Sequence, residues 1–254
     1  PDFQEKHFPQ FFTREELESR NLLQTKIARQ KATVVFSSKS AQDDFKLFFP
    51  NALAQPKVVH FAVDHPDFSR LNIDAVKEKF GIDGSYYFSP NQFWAHKNHQ
   101  VILDAVLLLK NEGKNIQVLF SGKEYDYRNP DYTSDLKKFV KDNGLEGNIK
   151  FLGFIDRAEQ LLLMKNSIAV IQPSLFEGWS TGVEDAKALN NYLIISDIPV
   201  HREQISNNAS FFDPHNENEL AELLSQFSIE SPSVINVDYT DKMRRFAQQF
   251  VSCL

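Results

Sequence analysis

Two stretches of the 254-residue chain gather residue types that bind anions and hydroxyl groups. The first is Asn91-Gln92-Phe93-Trp94-Ala95-His96-Lys97-Asn98-His99, lying between a strand-like run and a helical one. In an open α/β sheet, the loop at the carboxyl end of a strand is where ligands bind. Lys97 and His99 fall in or near the first turn of the helix, where positive charge opposes the macrodipole. A phosphate resting on the free N–H groups of that turn would compensate it. The plainer alternative is a lysine that points into water. For His96 and His99, surface or packing roles suit better than metal ligation, because no carboxylate or third histidine lies nearby in sequence.

The second stretch is Pro173-Ser174-Leu175-Phe176-Glu177-Gly178-Trp179-Ser180-Thr181-Gly182-Val183-Glu184-Asp185, again between a strand and a helix. Gly178 and Gly182 permit either a close approach of the backbone to a ligand or a positive φ. Glu177 precedes the helix, and Glu184 and Asp185 sit in its first turn. Three carboxylates around one turn repel each other unless donors satisfy them, and sugars and ribose present paired hydroxyl donors. Thr181-x-x-Glu184 also reads as a capping box, and Asp185 as a surface charge favoured by the dipole. Glu177 has no comparable structural explanation. With Ser180 or Thr181 as N-cap, its carboxylate is expected to be free to point into a cleft.

The elements that must position these loops alternate regularly. Thr13-Arg14-Glu15-Glu16 is a capping box that starts a helix running to about residue 30. A strand at 32–36, a helix at 41–49 and a strand at 57–61 follow, and then a linker at 62–70 marked by Pro66 and two aspartates. Strands are predicted at 85–89, 116–121, 149–152, 168–172, 193–196 and 210–212. Helices fall between them at 99–111, 134–143, 158–165, 182–190 and 217–227, with Gly113 and Gly144 as left-handed terminators. Tyr239, Met243, Phe246 and Phe250 space a last helix over 239–251. The pattern is α/β with a parallel sheet. One complete doubly wound domain covers 71–238. Residues 1–61 hold too few elements for a sandwiched sheet and read as the end of a second domain whose beginning lies upstream; the chain, opening on Pro1, is expected to be N-terminally incomplete.

Composition narrows the function classes. Apolar residues make up 42% and charged residues 24%, as in ordinary globular proteins. With 28 basic against 34 acidic side chains the net charge is −6, which argues against a nucleic-acid binder working through bulk positive charge. One cysteine, Cys253, excludes a disulfide framework or a cysteine-based zinc site within the chain.

Phe176-Glu177-Gly178-Trp179-Ser180-Thr181-Gly182-Val183-Glu184-Asp185-Ala186-Lys187-Ala188-Leu189, followed by Ile195-Ser196-Asp197-Ile198-Pro199-Val200-His201-Arg202-Glu203, resembles the signature of glycosyltransferase family 4, the glycosyl transferases group 1. Asn91 to His99 with Val101-Ile102-Leu103-Asp104-Ala105 resembles that family's phosphate-binding loop and helix. Asp2-Phe3-Gln4 and Phe8-Pro9-Gln10-Phe11-Phe12 resemble the last third of its acceptor domain. The likeness covers essentially the whole chain.

The resemblance implies a GT-B fold and a retaining transferase moving a sugar from a nucleotide-sugar donor, UDP-, GDP- or other, to a hydroxyl of a glycan or lipid-linked acceptor. No tightly bound cofactor is implied, and with no Asp-x-Asp triplet in the chain no metal held by that motif. By the family pattern Lys97 holds the donor diphosphate, Glu177 the sugar hydroxyls and the second acid the ribose. The backbone around Gly178, Trp179, Ser180 and Thr181 cradles the phosphates, and Phe154 and Ile155 border the base, with Gln92 and Trp94 in the donor site. Two positions depart from the pattern. The second acid is Asp185, one methylene shorter than glutamate, so that Glu184 or a water is an alternative ribose contact. The customary arginine five residues before the lysine is Gln92. These departures also fit a non-catalytic nucleotide- or sugar-binding module, and an epimerase shares the fold. The segment 239–254 is expected to return toward the acceptor domain. This fragment alone is expected to be inactive, and the whole protein to be cytoplasmic, with peripheral association at the inner membrane face through the missing half as an option.

Overall fold

The computed structural model describes residues 2–253. After a short helix α1 (Gln4–His7) and a 3-10 turn (Pro9–Phe11) comes α2 (Arg14–Ala28), whose Thr13 capping box is formed in both directions. Then β1 (Thr33–Phe36), α3 (Lys39–Phe48) and β2 (Gln55–Val58) make a two-stranded parallel unit over a small core of Phe3, Ala28, Phe36, Ala41, Phe45 and Ala54. The second strand starts two residues earlier than its predicted position, with Pro56 inside it. In a two-stranded sheet each strand has a free edge. Gln55 donates to the Ala32 carbonyl just ahead of β1 and Val59 to that of Phe36 in it, so Pro56, which lacks an N–H, faces the free edge.

No regular element covers residues 59–72. The chain then enters α4 (Ile73–Phe80), absent from the sequence-derived order, with Asn72 as its N-cap and Gly81 ending it at φ 61°. The rest alternates: β3 (Tyr87–Ser89), a 3-10 turn (Ala95–Lys97), α5 (His99–Asn111), β4 (Val118–Phe120), α6 (Tyr132–Asp142), β5 (Ile149–Phe151), α7 (Arg157–Lys165), β6 (Val170–Gln172), α8 (Thr181–Ala188), β7 (Leu193–Ser196), α9 (Pro199–Gln204), β8 (Ala209–Phe212), α10 (Glu217–Ile229) and α11 (Thr240–Val251). Strand spans mostly tighten relative to prediction because only the paired residues qualify. The short α9 is new, set by Pro199 at its first turn.

All six strands of the large sheet run parallel, in the order β5-β4-β3-β6-β7-β8. Apolar helix faces cover both sides. Ile102, Val106 and Leu109 of α5 pack with Leu220 and Leu224 of α10 on one side. Val76, Leu163 and Val183 lie in the core of the other. The chain winds outward from β3 toward β5, then returns to place β6 on the other flank of β3. Strand order therefore reverses between β3 and β6, and a crevice opens there at the carboxyl ends. The loops leaving these two strands are the two stretches singled out by their chemistry. No helix among the described residues is long and apolar enough to cross a membrane.

Candidate functional site

The loop after β3 is pinned from below. Phe93 is buried and stacks on the His99 ring at 4.5 Å, and Asn98, at φ 55°, donates to the carbonyls of Pro173 and Pro214. Lys97 ends the 3-10 turn two residues before α5 and stands outside that helix's first turn. Its charge is met by protein rather than water: Nζ lies 2.5 Å from Glu177 Oε1, with only 18% of the side chain exposed. His99 faces the core and takes no part in the cleft.

The loop after β6 brings Glu177 to this lysine. Ser174 Oγ donates to the same oxygen at 2.7 Å, so the carboxylate, which is not used as an N-cap and lines the crevice, is anchored there through Oε1. Burial alone would raise the Glu177 carboxyl; the positive charge of Lys97, with His201, outweighs it and leaves the group below its ordinary range. His201, fully buried on α9, is held by Ser196, and burial pushes its pKa down to about 4. Both donors to Glu177 converge on Oε1. Among the described residues no hydrogen bond falls on Oε2, which keeps acceptor capacity for a ligand hydroxyl.

The start of α8 decides between alternatives the sequence leaves open and corrects the reading of Glu184. Ser180, not Thr181, is the N-cap, accepting from the Val183 N–H, so the Thr181–Glu184 box does not form. Glu184, one position past the reach of a box from Ser180, turns away from the crevice to Lys187, Gln204 and Tyr239 and is 1% exposed. Its donor-binding role is therefore corrected to a structural one. Neither Gly178 nor Gly182 has a positive φ. What demands glycine is close approach: a Cβ on Gly182 would lie 2.1 Å from Gln172 Nε2, and one on Gly178 would lie 3.0 Å from the Asp2 side chain. Gly178 is covered by Asp2, and its carbonyl accepts from Ser37, so it supports the turn and lines neither cavity below. Trp179 is fixed by stacking on His60 at 4.4 Å.

Two adjoining cavities fill the crevice, sharing Pro90, Gln92, Thr181 and Gly182. One, of about 380 Å³, is lined by Trp94, His96, Lys97, Glu177, Trp179 and Ser180 together with Asp2, Gln4 and Arg20 from the N-terminal part. The other, of about 400 Å³, holds Ser121, Gly122, Lys123, Phe154, Ile155, Arg157, Gln160 and Asp185. Phe154 is 85% exposed, an apolar ring with a free face at the rim. Asp185 is nearly buried, and Arg157 NH2 at 2.5 Å and His65 Nε2 at 3.0 Å both meet its Oδ1. Oδ2 accepts from no described residue.

Of the predicted site residues, Gln92, Trp94, Lys97, Phe154, Ile155, Glu177, Trp179, Ser180, Thr181 and Asp185 are brought together; Gly178 and Glu184 are not. Sequence reading missed Arg20, His65, Lys123, Arg157 and Gly122. Gly122, at φ 152°, carries a legible signal: it follows a strand at the binding edge, and a Cβ there would meet the Asn91 carbonyl at 2.2 Å. Arg128 was missed too. It stacks at 4.2 Å on Trp94 and 4.8 Å from the Phe12 ring, tying the first loop to the N-terminal part.

The sequence family described as glycosyl transferases group 1 matches residues 72–249. The O-antigen chain mannosyltransferase RfbU of Salmonella typhimurium is 28% identical over 161 residues, 63% of this chain and 40% of that protein. A glycosyltransferase from Rickettsia africae superposes with a TM-score of 0.72 at 19% identity, over 91% of this chain and 63% of its own. Anabaena Alr3699/HepE, in its complex with UDP-glucose, gives 0.73 at 17% identity, over 96% and 69%. The chain thus spans well under the full length of these relatives.

Proposed function

We propose, from the premise that the chain belongs to the glycosyl transferases group 1 family, that it is the donor-binding part of an enzyme transferring sugar from a nucleotide sugar to a hydroxyl acceptor with retention. The observation that carries this is the pair of joined cavities, each with one buried acid whose second oxygen is unclaimed. A nucleoside fits the cavity of Phe154, Ile155 and Asp185: the base stacks against the exposed ring, and a ribose hydroxyl donates to Asp185 Oδ2. The diphosphate crosses the shared wall at Thr181 and Gly182, on the N–H groups opening α8. Lys97 reaches it from the other side, and the sugar hydroxyls donate to Glu177 Oε2.

In this arrangement the protein neutralises charge that develops on the leaving diphosphate, which is electrostatic preorganisation. The acceptor hydroxyl attacks from the face the diphosphate leaves, and a leaving-group oxygen takes its proton. The division into an acceptor remnant (1–61), linker (62–70), donor domain (71–238) and returning segment (239–254), the glycan or lipid-linked acceptor, and a cytoplasmic site of action belong to the same proposal. UDP-glucose and GDP-mannose are the donors to try first, since a structural neighbour is seen with UDP-glucose and a relative is a mannosyltransferase.

The test is thermal stabilisation by UDP, GDP, uridine and guanosine. One diphosphate is expected to raise the melting temperature in proportion to the logarithm of its concentration above Kd. Its nucleoside is expected to do so far more weakly. Equal effects of diphosphate and nucleoside would remove Lys97 and the α8 terminus from the phosphate site.

A further inference from the structure

Gln92 lines both cavities where the family resemblance puts an arginine, and this leaves Lys97 as the one cation contributed by the loop after β3. Lys97 is itself committed to Glu177 at 2.5 Å. A leaving diphosphate therefore needs positive charge from elsewhere. The cavity containing Lys97 has a second cation on its wall, Arg20, reaching in from α2 of the N-terminal part.

The setting of Arg20 suits a ligand rather than a structural pair. Its guanidinium rests on the Phe12 ring at 4.8 Å, which props it without using its N–H groups. Its nearest acid is Glu5, but NH1 to Oε2 is 3.5 Å, beyond a good hydrogen bond, and the Arg20 side chain stays 42% exposed. Glu5 accepts through Oε1 from Gln24 at 2.7 Å; its buried Oε2, beside Arg20, receives no hydrogen bond, so the pair is an ion pair at long range only. No described residue accepts a hydrogen bond from Arg20. On the same wall Gln4 Nε2 is a buried donor without an acceptor, and His96 Nδ1 is buried without a partner. Asp2 is the acid on this wall besides Glu177; its Oδ1 accepts from the Gln4 N–H and its side chain lies against Gly178. Arg20 and Gln4, each with N–H groups that no described residue accepts, thus line one cavity that opens onto the start of α8.

We propose that Arg20 supplies the second cation on the donor diphosphate, replacing from the N-terminal part the charge that Gln92 withholds. This rests on the donor reading above. It also makes donor binding depend on the seating of α2 against the sheet domain, since Phe12 stands between Arg20 and Arg128, each 4.8 Å from its ring.

The experiment is calorimetric titration of UDP and uridine, with GDP and guanosine in parallel. It compares the unaltered chain, Arg20→Gln (which removes the charge but keeps an unbranched polar side chain), Lys97→Ala, and the double variant Arg20→Gln/Gln92→Arg. Arg20→Gln is expected to weaken the bound diphosphate roughly tenfold to a hundredfold, the range for charge-assisted hydrogen bonds, and to leave the nucleoside unchanged. Gln92→Arg in that background should recover most of the loss, which no purely structural role for Arg20 explains. Diphosphate affinity untouched by Arg20→Gln but lowered by Lys97→Ala overturns the inference and keeps the donor reading. A loss that Gln92→Arg fails to recover overturns the replacement of charge. Diphosphate affinity indifferent to both Arg20→Gln and Lys97→Ala overturns the reading itself.

Discussion

The two ends of the crevice solve one problem with different materials. Glu177 and Asp185, eight residues apart, each hold cationic or hydroxyl donors on one carboxylate oxygen and leave the other open. At the Glu177 end both members of the ion pair are dry, Lys97 and Glu177 alike being largely out of solvent. Lys97 and Ser174 come from the two loops flanking the strand-order reversal, and buried His96 and His201 stand beside the pair. At the Asp185 end the carboxylate is just as buried, but one of its two partners is wetter: Arg157 from α7 is 40% exposed, beside His65 from the irregular segment joining the two sheets. Charge held in a dry place is bound to the fold's stability, whereas charge held at a wet rim can be rearranged by a ligand at little cost.

The largest expected consequence is an asymmetric response to acid. Burial pushes His96 and His99 down to about 3 and His201 to about 4, while a histidine in the unfolded chain titrates near 6.5. Below that value the unfolded chain takes up protons that the native protein refuses, so stability is full above about pH 6.5 and falls as pH drops toward 4. With three such groups the slope approaches about 4 kcal/mol per pH unit. Calorimetry at pH 5 should find about three protons taken up by these groups on unfolding. Uptake near zero would mean that the Glu177 end is wetter than described. The depressed Glu177 carboxyl adds a smaller loss of the same sign, beginning below about pH 4.5.

Next in size is the contrast between the two cations. Lys97→Ala strands a buried carboxylate and should destabilise the chain by about 3 kcal/mol in urea unfolding at neutral pH. Part of that should return in Lys97→Met/Glu177→Gln, where no charge is left unpaired. Arg157→Ala removes the more exposed of two partners and leaves His65 on the same Asp185 oxygen, so it should cost less than Lys97→Ala, about 1 kcal/mol. Equal costs at the two ends would break the distinction.

Much of this was readable in the sequence because it is local. The boundaries of β7 and α5 fall where apolar period and flanking polar residues put them, and the two loops that line the crevice stand out by the chemistry packed between a strand and a helix. α4 was missed because eight mixed-charge residues carry only Ile73, Val76 and Phe80 as its apolar face. The Glu184 error has a physical origin as well: two adjacent hydroxyl residues, Ser180 and Thr181, could each cap the helix. Shifting the cap by one residue moves Glu184 out of box geometry and toward Lys187. The pairing of Lys97 with Glu177, and the arrival of Arg20, His65 and Arg157, are products of tertiary packing. Nothing in a helix's own sequence says which of its exposed arginines will meet a cleft built by another part of the chain.

The division of labour between the two acids is tested most directly by titrating Glu177→Gln and Asp185→Asn with a nucleoside diphosphate and with the matching nucleotide sugar, UDP with UDP-glucose and GDP with GDP-mannose. Asp185→Asn is expected to weaken the bare diphosphate and the nucleotide sugar alike, by about tenfold, through the lost ribose contact. Glu177→Gln is expected to leave the bare diphosphate within about twofold while removing the added affinity that the sugar brings, since in the proposed arrangement its open oxygen accepts only from the sugar. If Glu177→Gln weakens the bare diphosphate as much as Asp185→Asn does, the two acids do not divide sugar from ribose, and the two-ended crevice is wrong.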